Sequence, residues 1–205
     1  MTTAERLAAL GTATLGEAAQ DARIFDEHLR PIAEGMQVAG PVRTVRCVPG
    51  DNLALHVAID RAQAGEVLVV DYGGNTQSGP FGEIMALACQ LRGIAGLVIN
   101  GAVRDSAQIA ALGFPTFARG LNINGTTKEH KGEVDATLNI GGVTINSGDI
   151  IVADADAVLV LPAASIYEAV SAGELRVAKE RRMIERLSAG ETTLEILGLN
   201  GEGKT

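Results

Sequence analysis

Apolar positions along the chain fall into two regimes. In the first, helical spacing alternates with short, continuously apolar runs. Leu7, Leu10 and Leu15 predict a helix over 3–22, broken near Gly11, with Thr12 or Thr14 capping its second piece. The stretch from Pro31 to Pro41 reads as irregular, and the β-branched residues of 42–48 predict a strand. Pro49-Gly50-Asp51-Asn52 is a turn leading into a helix over 53–63. Val67-Leu68-Val69-Val70-Asp71 and Leu97-Val98-Ile99-Asn100 are apolar up to their last residue, the mark of strands covered on both faces. Between them, a loop over 72–82 leads into a helix over 83–92, with Ile84, Leu87, Ala88 and Leu91 on one side. A short helix is expected over 107–112.

The second regime is a series of short strands, at 116–118, 135–140, 143–145, 150–153 and 157–161, separated by Gly and Asn-Ser-Gly turns. Gly141-Gly142 is a hairpin signal. A long helix over 163–187 follows, and the polar tail 198–205 is expected to fray. Helices, βαβ-like units, a β-rich block and a final helix predict an α/β fold, a single domain over 1–205 built on a central mixed sheet.

Composition narrows the function classes. Hydrophobic residues make up 46% of the chain and aromatics 3%, with no Trp, so the core must be aliphatic. The net charge of −8, with no offsetting basic run, argues against nucleic-acid binding. Cys47 and Cys89 form neither a CxxC pair nor a disulfide framework. The chain opens without a signal-peptide pattern and contains no apolar run long enough to span a membrane, so a soluble, cytoplasmic protein is expected.

Loops beyond the carboxyl ends of α/β strands are the expected place for chemistry. The loop after Asp71 is rich in Gly and ends at a helix start, where backbone N–H groups favour anions. It matches neither a Walker A loop nor GxGxxG, so a small carboxylate suits it better than a nucleotide; a plain glycine turn is the other reading. The loop after Asn100 carries Arg104-Asp105. Arg can pair with a carboxylate in a bidentate way and Asp can hold a hard cation, although adjacent opposite charges are also common on surfaces. Glu83 either complements the helix dipole or holds a water or a metal-bound ligand. His28, His56 and His130 lack metal-ligand spacing, which argues against zinc; oxygen ligands would favour Mg²⁺ or Mn²⁺. Lys128, Lys131 and Lys179 lie in polar settings and read as solvated.

Glu83, followed after 20 residues by Arg104-Asp105, is similar to the acidic-x20-Arg-Asp pattern of class II pyruvate aldolases acting on 4-hydroxy-4-methyl-2-oxoglutarate and 4-carboxy-4-hydroxy-2-oxoadipate. The segments 92–105, 113–120, 146–149 and 153–158, and Gly11-Thr12-Ala13-Thr14-Leu15, also resemble that family, so the likeness covers most of 11–197. It implies a swivelling β/β/α fold, a homotrimer or homohexamer, and active sites between subunits. By the same resemblance, Asp105 is the direct ligand of a Mg²⁺ or Mn²⁺ ion. Arg104 binds a small-molecule 2-keto acid and steadies its enolate. Glu83 holds a water where an Asp is frequent. At the Gly82-Glu83 turn, the backbone N–H groups of Ile84 and Met85 take the pyruvate carboxylate. A Glu from the C-terminal helix of a neighbouring subunit completes the site, with Glu180 or Glu185 as the match.

The implied reaction is retro-aldol cleavage to pyruvate, with oxaloacetate decarboxylation through the same enolate. Two residues depart from the family pattern: Glu83, and Gln108 where many members have a carboxylate. The regulator of ribonuclease E activity A, which acts by protein contact, is the alternative; such members lack the Asp after the Arg, so Asp105 favours the enzyme. Gln108 keeps open a third reading, an oligomeric scaffold with a vestigial site.

Overall fold

A computed structural model describes residues 1–25 and 28–199. The chain begins with α1 (Thr3–Ala18), two short strands β1 (Arg23–Ile24) and β2 (Arg30–Pro31), and β3 (Val38–Arg46). Then come α2 (Leu53–Arg61), β4 (Val67–Asn75), α3 (Glu83–Leu91), β5 (Gly96–Val103), α4 (Ser106–Leu112) and β6 (Thr116–Leu121). The second half holds β7 (Glu133–Val134), β8 (Leu138–Ile140), β9 (Val143–Ile145), β10 (Ile150–Ala153) and β11 (Val158–Leu161), followed by α5 (Ile166–Ser188) and α6 (Thr193–Leu197).

The central sheet has the order β1-β11-β10-β3-β4-β5-β6-β2. Strands β3 to β6 run parallel, while β10, β11 and β1 on one side and β2 on the other pair antiparallel, so the expected mixed α/β sheet is what the chain forms. Eight consecutive buried positions in β5 explain its unbroken apolar run: both faces are covered. One face packs on α2, α3 and α4 through residues such as Leu55, Ile59, Cys89 and Ile109. The other packs on the β8–β9 hairpin through Leu138, Ile140 and Ile145. The antiparallel end carries its own cluster, where Leu7 and Leu15 of α1 and Val170 of α5 cover β10 and β11. Gly141 and Gly142 turn the hairpin with φ of 59° and 81°, the left-handed backbone that a two-residue turn of this hand requires.

Several expectations change in detail. The helix expected over 3–22 ends at Ala18, and it is broken at Gly11, whose φ is 75°. Its second piece is capped from afar. Asp154 accepts the Thr12 N–H at 2.7 Å and the Thr12 hydroxyl at 2.6 Å, so Thr12 is the recipient of the cap and not its source. Strand β4 continues four residues past Asp71, through Asn75, and the loop before α3 is correspondingly shorter. On α3 the buried residues are Met85, Ala86 and Cys89, whereas Ile84 and Leu91, on the apolar side noted in the sequence, are 77% and 79% exposed. Strands β1 and β2 and helix α6 had no strong periodic signal because each is five residues or fewer. Of the tail expected to fray, residues 200–205 lie outside the described residues. Among the described residues, no helix is long and apolar enough to cross a membrane.

Candidate functional site

The candidate site forms where β4 and β5 end. The loop between β4 and α3 is anchored by Phe81, which is fully buried and stacks on Phe114 with ring centroids 6.1 Å apart. Phe81 O accepts the Arg104 N–H at 2.9 Å, which joins this loop to the end of β5. On the far side, Asn122 N–H donates to Val103 O at 2.9 Å and Asn122 Nδ2 to Thr76 O at 2.8 Å. Arg104 is thus held between two segments that are tied to each other by their backbones.

Asp105 follows with φ 56° and ψ 38°, a left-handed conformation uncommon outside glycine and tolerated best by Asn and Asp. Its Oδ2 accepts the Glu83 N–H at 3.1 Å and lies 3.6 Å from Arg104 Nε. Residue 82 must be small here: a Cβ on Gly82 would sit 2.3 Å from Asp105 Oδ2 and 3.0 Å from Arg104 Nε. The first turn of α3 therefore meets Arg104-Asp105 directly. The Met85 and Ala86 N–H groups donate to Gly82 O at 3.1 and 3.0 Å. Ile84 N–H has no acceptor among the described residues, so of the two donors expected to meet a carboxylate it is the one left for a ligand. The Glu83 side chain is exposed at the same helix start, and Gln108 lies exposed on α4.

Two clefts flank Arg104. One, of about 520 Å³, runs past Asp105 and Ser106 to residues 121–124. The other, of about 220 Å³, is lined by Gly82, Ile84 and Met85 and by Asn52, His56 and Lys128. Asn52 donates from Nδ2 to Pro80 O at 2.8 Å, which fixes its amide, and its Oδ1 is buried without a hydrogen-bond partner. Burial, and secondarily the positive charge of Lys128, push the His56 imidazole below its ordinary pKa, so it is a neutral N–H donor at pH 7. Sequence reading missed this second cleft. Asn52 and His56 are spaced i, i+4 at the start of α2, but Lys128 comes from a distant loop that looked merely solvated.

Asp51 holds that loop in place. Its carboxylate is 2% exposed and accepts from Thr127 Oγ1 at 2.6 Å, Glu129 N–H at 2.6 Å, Leu53 N–H at 2.9 Å and His130 N–H at 3.2 Å. Burial alone would raise its pKa, but these donors outweigh burial and hold it well below the carboxylate range. A depressed folded pKa means that the stabilisation is complete above the unfolded pKa, near 4, and is lost as pH falls through the folded value. Asp51→Asn is therefore expected to destabilise by about 2 kcal/mol at neutral pH and to weaken the acid dependence of stability, as read from urea titrations at pH 7 and pH 3. Equal stability of the two proteins at pH 7 would remove this role.

Glu180 lies on α5, ion-paired with Arg176 at 2.9 Å. Helix α5 packs on α1 at the antiparallel end of the sheet, so within one chain Glu180 is not brought to Arg104. Among the described residues, no three His, Cys, Asp or Glu side chains converge to hold a metal. In one chain Asp105 presents a carboxylate whose Oδ1 makes no hydrogen bond among the described residues. A single carboxylate fits Mg²⁺ or Mn²⁺, which keep several waters and take oxygen from substrate; it does not fit zinc.

A family model described as Aldolase/RraA, RraA-like, matches residues 12–160. A Halalkalibacterium halodurans protein whose name proposes a 4-hydroxy-4-methyl-2-oxoglutarate aldolase is 41% identical over 134 residues, covering 65% of this chain and 64% of that protein. The match thus spans less than two thirds of that relative. A structure of an uncharacterized protein from Pseudomonas syringae superposes with a TM-score of 0.84 at 27% identity, covering 95% of this chain and 96% of that one. The structure of the RNA-processing inhibitor RraA from Thermus thermophilis superposes with a TM-score of 0.69 at 32% identity, covering 74% of this chain and 92% of that one.

Proposed function

Since the chain belongs to the RraA-like Aldolase/RraA family, we propose that it is a class II pyruvate aldolase. It would cleave 4-hydroxy-4-methyl-2-oxoglutarate-type 2-keto acids to pyruvate and decarboxylate oxaloacetate as a side reaction. The observation that carries this reading is Asp105, held in a left-handed backbone and hydrogen-bonded to the first turn of α3, directly beside Arg104.

Each residue has a task in the reaction. Ile84 N–H and the guanidinium of Arg104 bind the keto-acid carboxylate, one as a backbone donor and the other as a planar fork. Asp105 holds a Mg²⁺ or Mn²⁺ ion, which when bound supplies Lewis-acid stabilisation of charge developing on the keto oxygen. Glu83, exposed at the rim, holds the water that takes the C4 hydroxyl proton. As the C3–C4 bond breaks, Arg104 stabilises the pyruvate enolate, and protonation at C3 releases pyruvate. Loss of CO₂ from oxaloacetate gives the same enolate, so it draws on the same stabilisation by Arg104 but, having no hydroxyl proton to remove, not on the water held by Glu83.

The site also calls for a second copy of the chain. Ile84, Leu87 and Leu91 form an exposed apolar stripe on α3, and Leu121 and Ile123 are exposed apolar residues of the larger cleft. Apolar side chains gathered around a site in this way suit an interface. A homotrimer or homohexamer would cover them and bring Glu180 of the partner subunit to Arg104. The same stripe, with the Thermus neighbour, is what a binding regulator would use, so the decisive experiment is chemical. Pyruvate release from 4-hydroxy-4-methyl-2-oxoglutarate and oxaloacetate is expected to fall at least about 10²-fold after chelator treatment and to return with Mg²⁺ or Mn²⁺. No release with any divalent metal would overturn the aldolase reading in favour of the regulator.

A further inference from the structure

The direction of the Arg104 side chain is set by a slot whose walls are two glycines. A Cβ on Gly79 would come within 3.0 Å of Arg104 Cβ, and one on Gly82 within 3.0 Å of both Cγ and Nε. The loop that carries both glycines, residues 76–82, has no regular secondary structure of its own. Its backbone groups must therefore find partners other than the ladder that ends at Asn75. Three residues that follow β6 supply them. Asn122 Nδ2 donates to Thr76 O at 2.8 Å, and Asn124 Nδ2 donates to Gln77 O at 2.9 Å. Gly79 N–H donates to Asn124 O at 3.0 Å. Asn124 N–H donates to Asn122 Oδ1 at 2.8 Å, which fixes the first amide from behind. Asn122 O lies so close to Gly79 that a Cβ there would overlap it. Both side-chain amides are thus engaged with the backbone of the loop, and the loop in turn lies against the stem of Arg104.

We propose that Asn122 and Asn124 are positioning residues for Arg104. They strap the 76–79 segment in place, so that the slot between Gly79 and Gly82 holds the guanidinium in one direction before any ligand arrives. An Arg side chain held in this way meets a planar anion without losing further rotamer freedom, whereas a loose one must be ordered on binding. The strap acts only through Arg104 and makes no contact with the ligand. This assignment rests on the aldolase reading for the identity of the anion, but its test does not need turnover.

Oxalate, a planar dianion with the shape of the pyruvate enolate, is the probe, titrated by calorimetry with Mg²⁺ present. Asn124→Ala is expected to weaken oxalate binding by about 10-fold, the scale of ordering one long side chain. Asn124→Asp keeps the size but cannot donate to Gln77 O, and is expected to match it. In an Arg104→Lys background the same Asn124→Ala change is expected to alter oxalate affinity by less than about 2-fold, because the residue on which the strap acts is gone. The melting temperature should not move, since Asn124 is exposed. A merely structural role would weaken oxalate equally in both backgrounds. That result, or native affinity in Asn124→Ala, would overturn the strap. Pyruvate release, measured on the same proteins, tests the aldolase reading separately. Oxalate binding that depends on Asn124 only when Arg104 is present, in a protein that releases no pyruvate, would keep the strap and refute the aldolase. Pyruvate release with equal oxalate losses in both backgrounds would do the reverse. A native protein that neither releases pyruvate nor binds oxalate would overturn both.

Discussion

Asp105→Ala is expected to lower kcat/KM for pyruvate release by about 10³-fold or more, on both 4-hydroxy-4-methyl-2-oxoglutarate and oxaloacetate. Among the described residues, Asp105 is the carboxylate that lies against Arg104, at 3.6 Å. Without it a divalent ion would lose the carboxylate proposed to hold it, and the stabilisation of charge on the keto oxygen would fall for both substrates alike. The backbone complicates the alanine variant, since φ is 56° at this position and Ala tolerates that conformation less well than Asp, at a cost of about 1 kcal/mol. Asp105→Asn keeps both the left-handed preference and a hydrogen-bond acceptor for Glu83 N–H, and removes the charge. The aldolase reading expects both variants to be inactive while Asp105→Asn melts with the native protein. Steady-state kinetics with a coupled pyruvate assay, alongside calorimetric melting, separates chemistry from folding. Native-like turnover by Asp105→Asn would sink the metal-ligand role.

Gly82→Ala is expected to lower the same rate by about 10²-fold, the scale associated with a displacement of roughly 1 Å in a catalytic group. The added Cβ would lie 2.3 Å from Asp105 Oδ2, so the carboxylate must swing away and lose its bond to Glu83 N–H. Arg104 Nε, 3.0 Å from the same point, must move as well. Gly82 does not have a left-handed φ, so Ala is tolerated by its own backbone and the effect is steric alone. The melting temperature should therefore change little, and metal affinity should fall together with activity. Unchanged kinetics in Gly82→Ala would show that the contact between the first turn of α3 and Asp105 is incidental. A large loss of stability would show that the loop is rigid enough to transmit the clash to Phe81 and the core.

The two approaches to the site differ in how they could be seen. Strands β4 and β5 announce themselves because they are covered on both faces, and burial on both faces leaves almost no polar residue until the strand emerges at the site. Arg104-Asp105 stands at that point of emergence, so position along the chain already marks it. The orientation of α3 is different. Its sequence carries two apolar stripes, Ile84-Leu87-Leu91 and Met85-Ala86-Cys89, and periodicity cannot choose between them. The sheet chooses, because Phe81 and Asp105 fix the angle at which the helix starts.

From sequence alone came the mixed α/β architecture, the kink near Gly11, the Gly141-Gly142 hairpin, the family resemblance and the pair at 104–105. All of these depend on patterns among neighbouring residues, where burial, backbone freedom and residue type act over a few positions. Tertiary structure alone decided the rest. Asp154 caps a helix 142 residues away, Asp51 gathers the Thr127 hydroxyl and the Glu129 and His130 N–H groups, and Asn52, His56 and Lys128 share one cleft. Those contacts are made by side chains whose own neighbours in sequence say nothing of them. The last two exist because the parallel strands bring the loops at their carboxyl ends together, and the first because α1 packs on the antiparallel end; distance in space, not along the chain, sets the strength of a hydrogen bond or a charge.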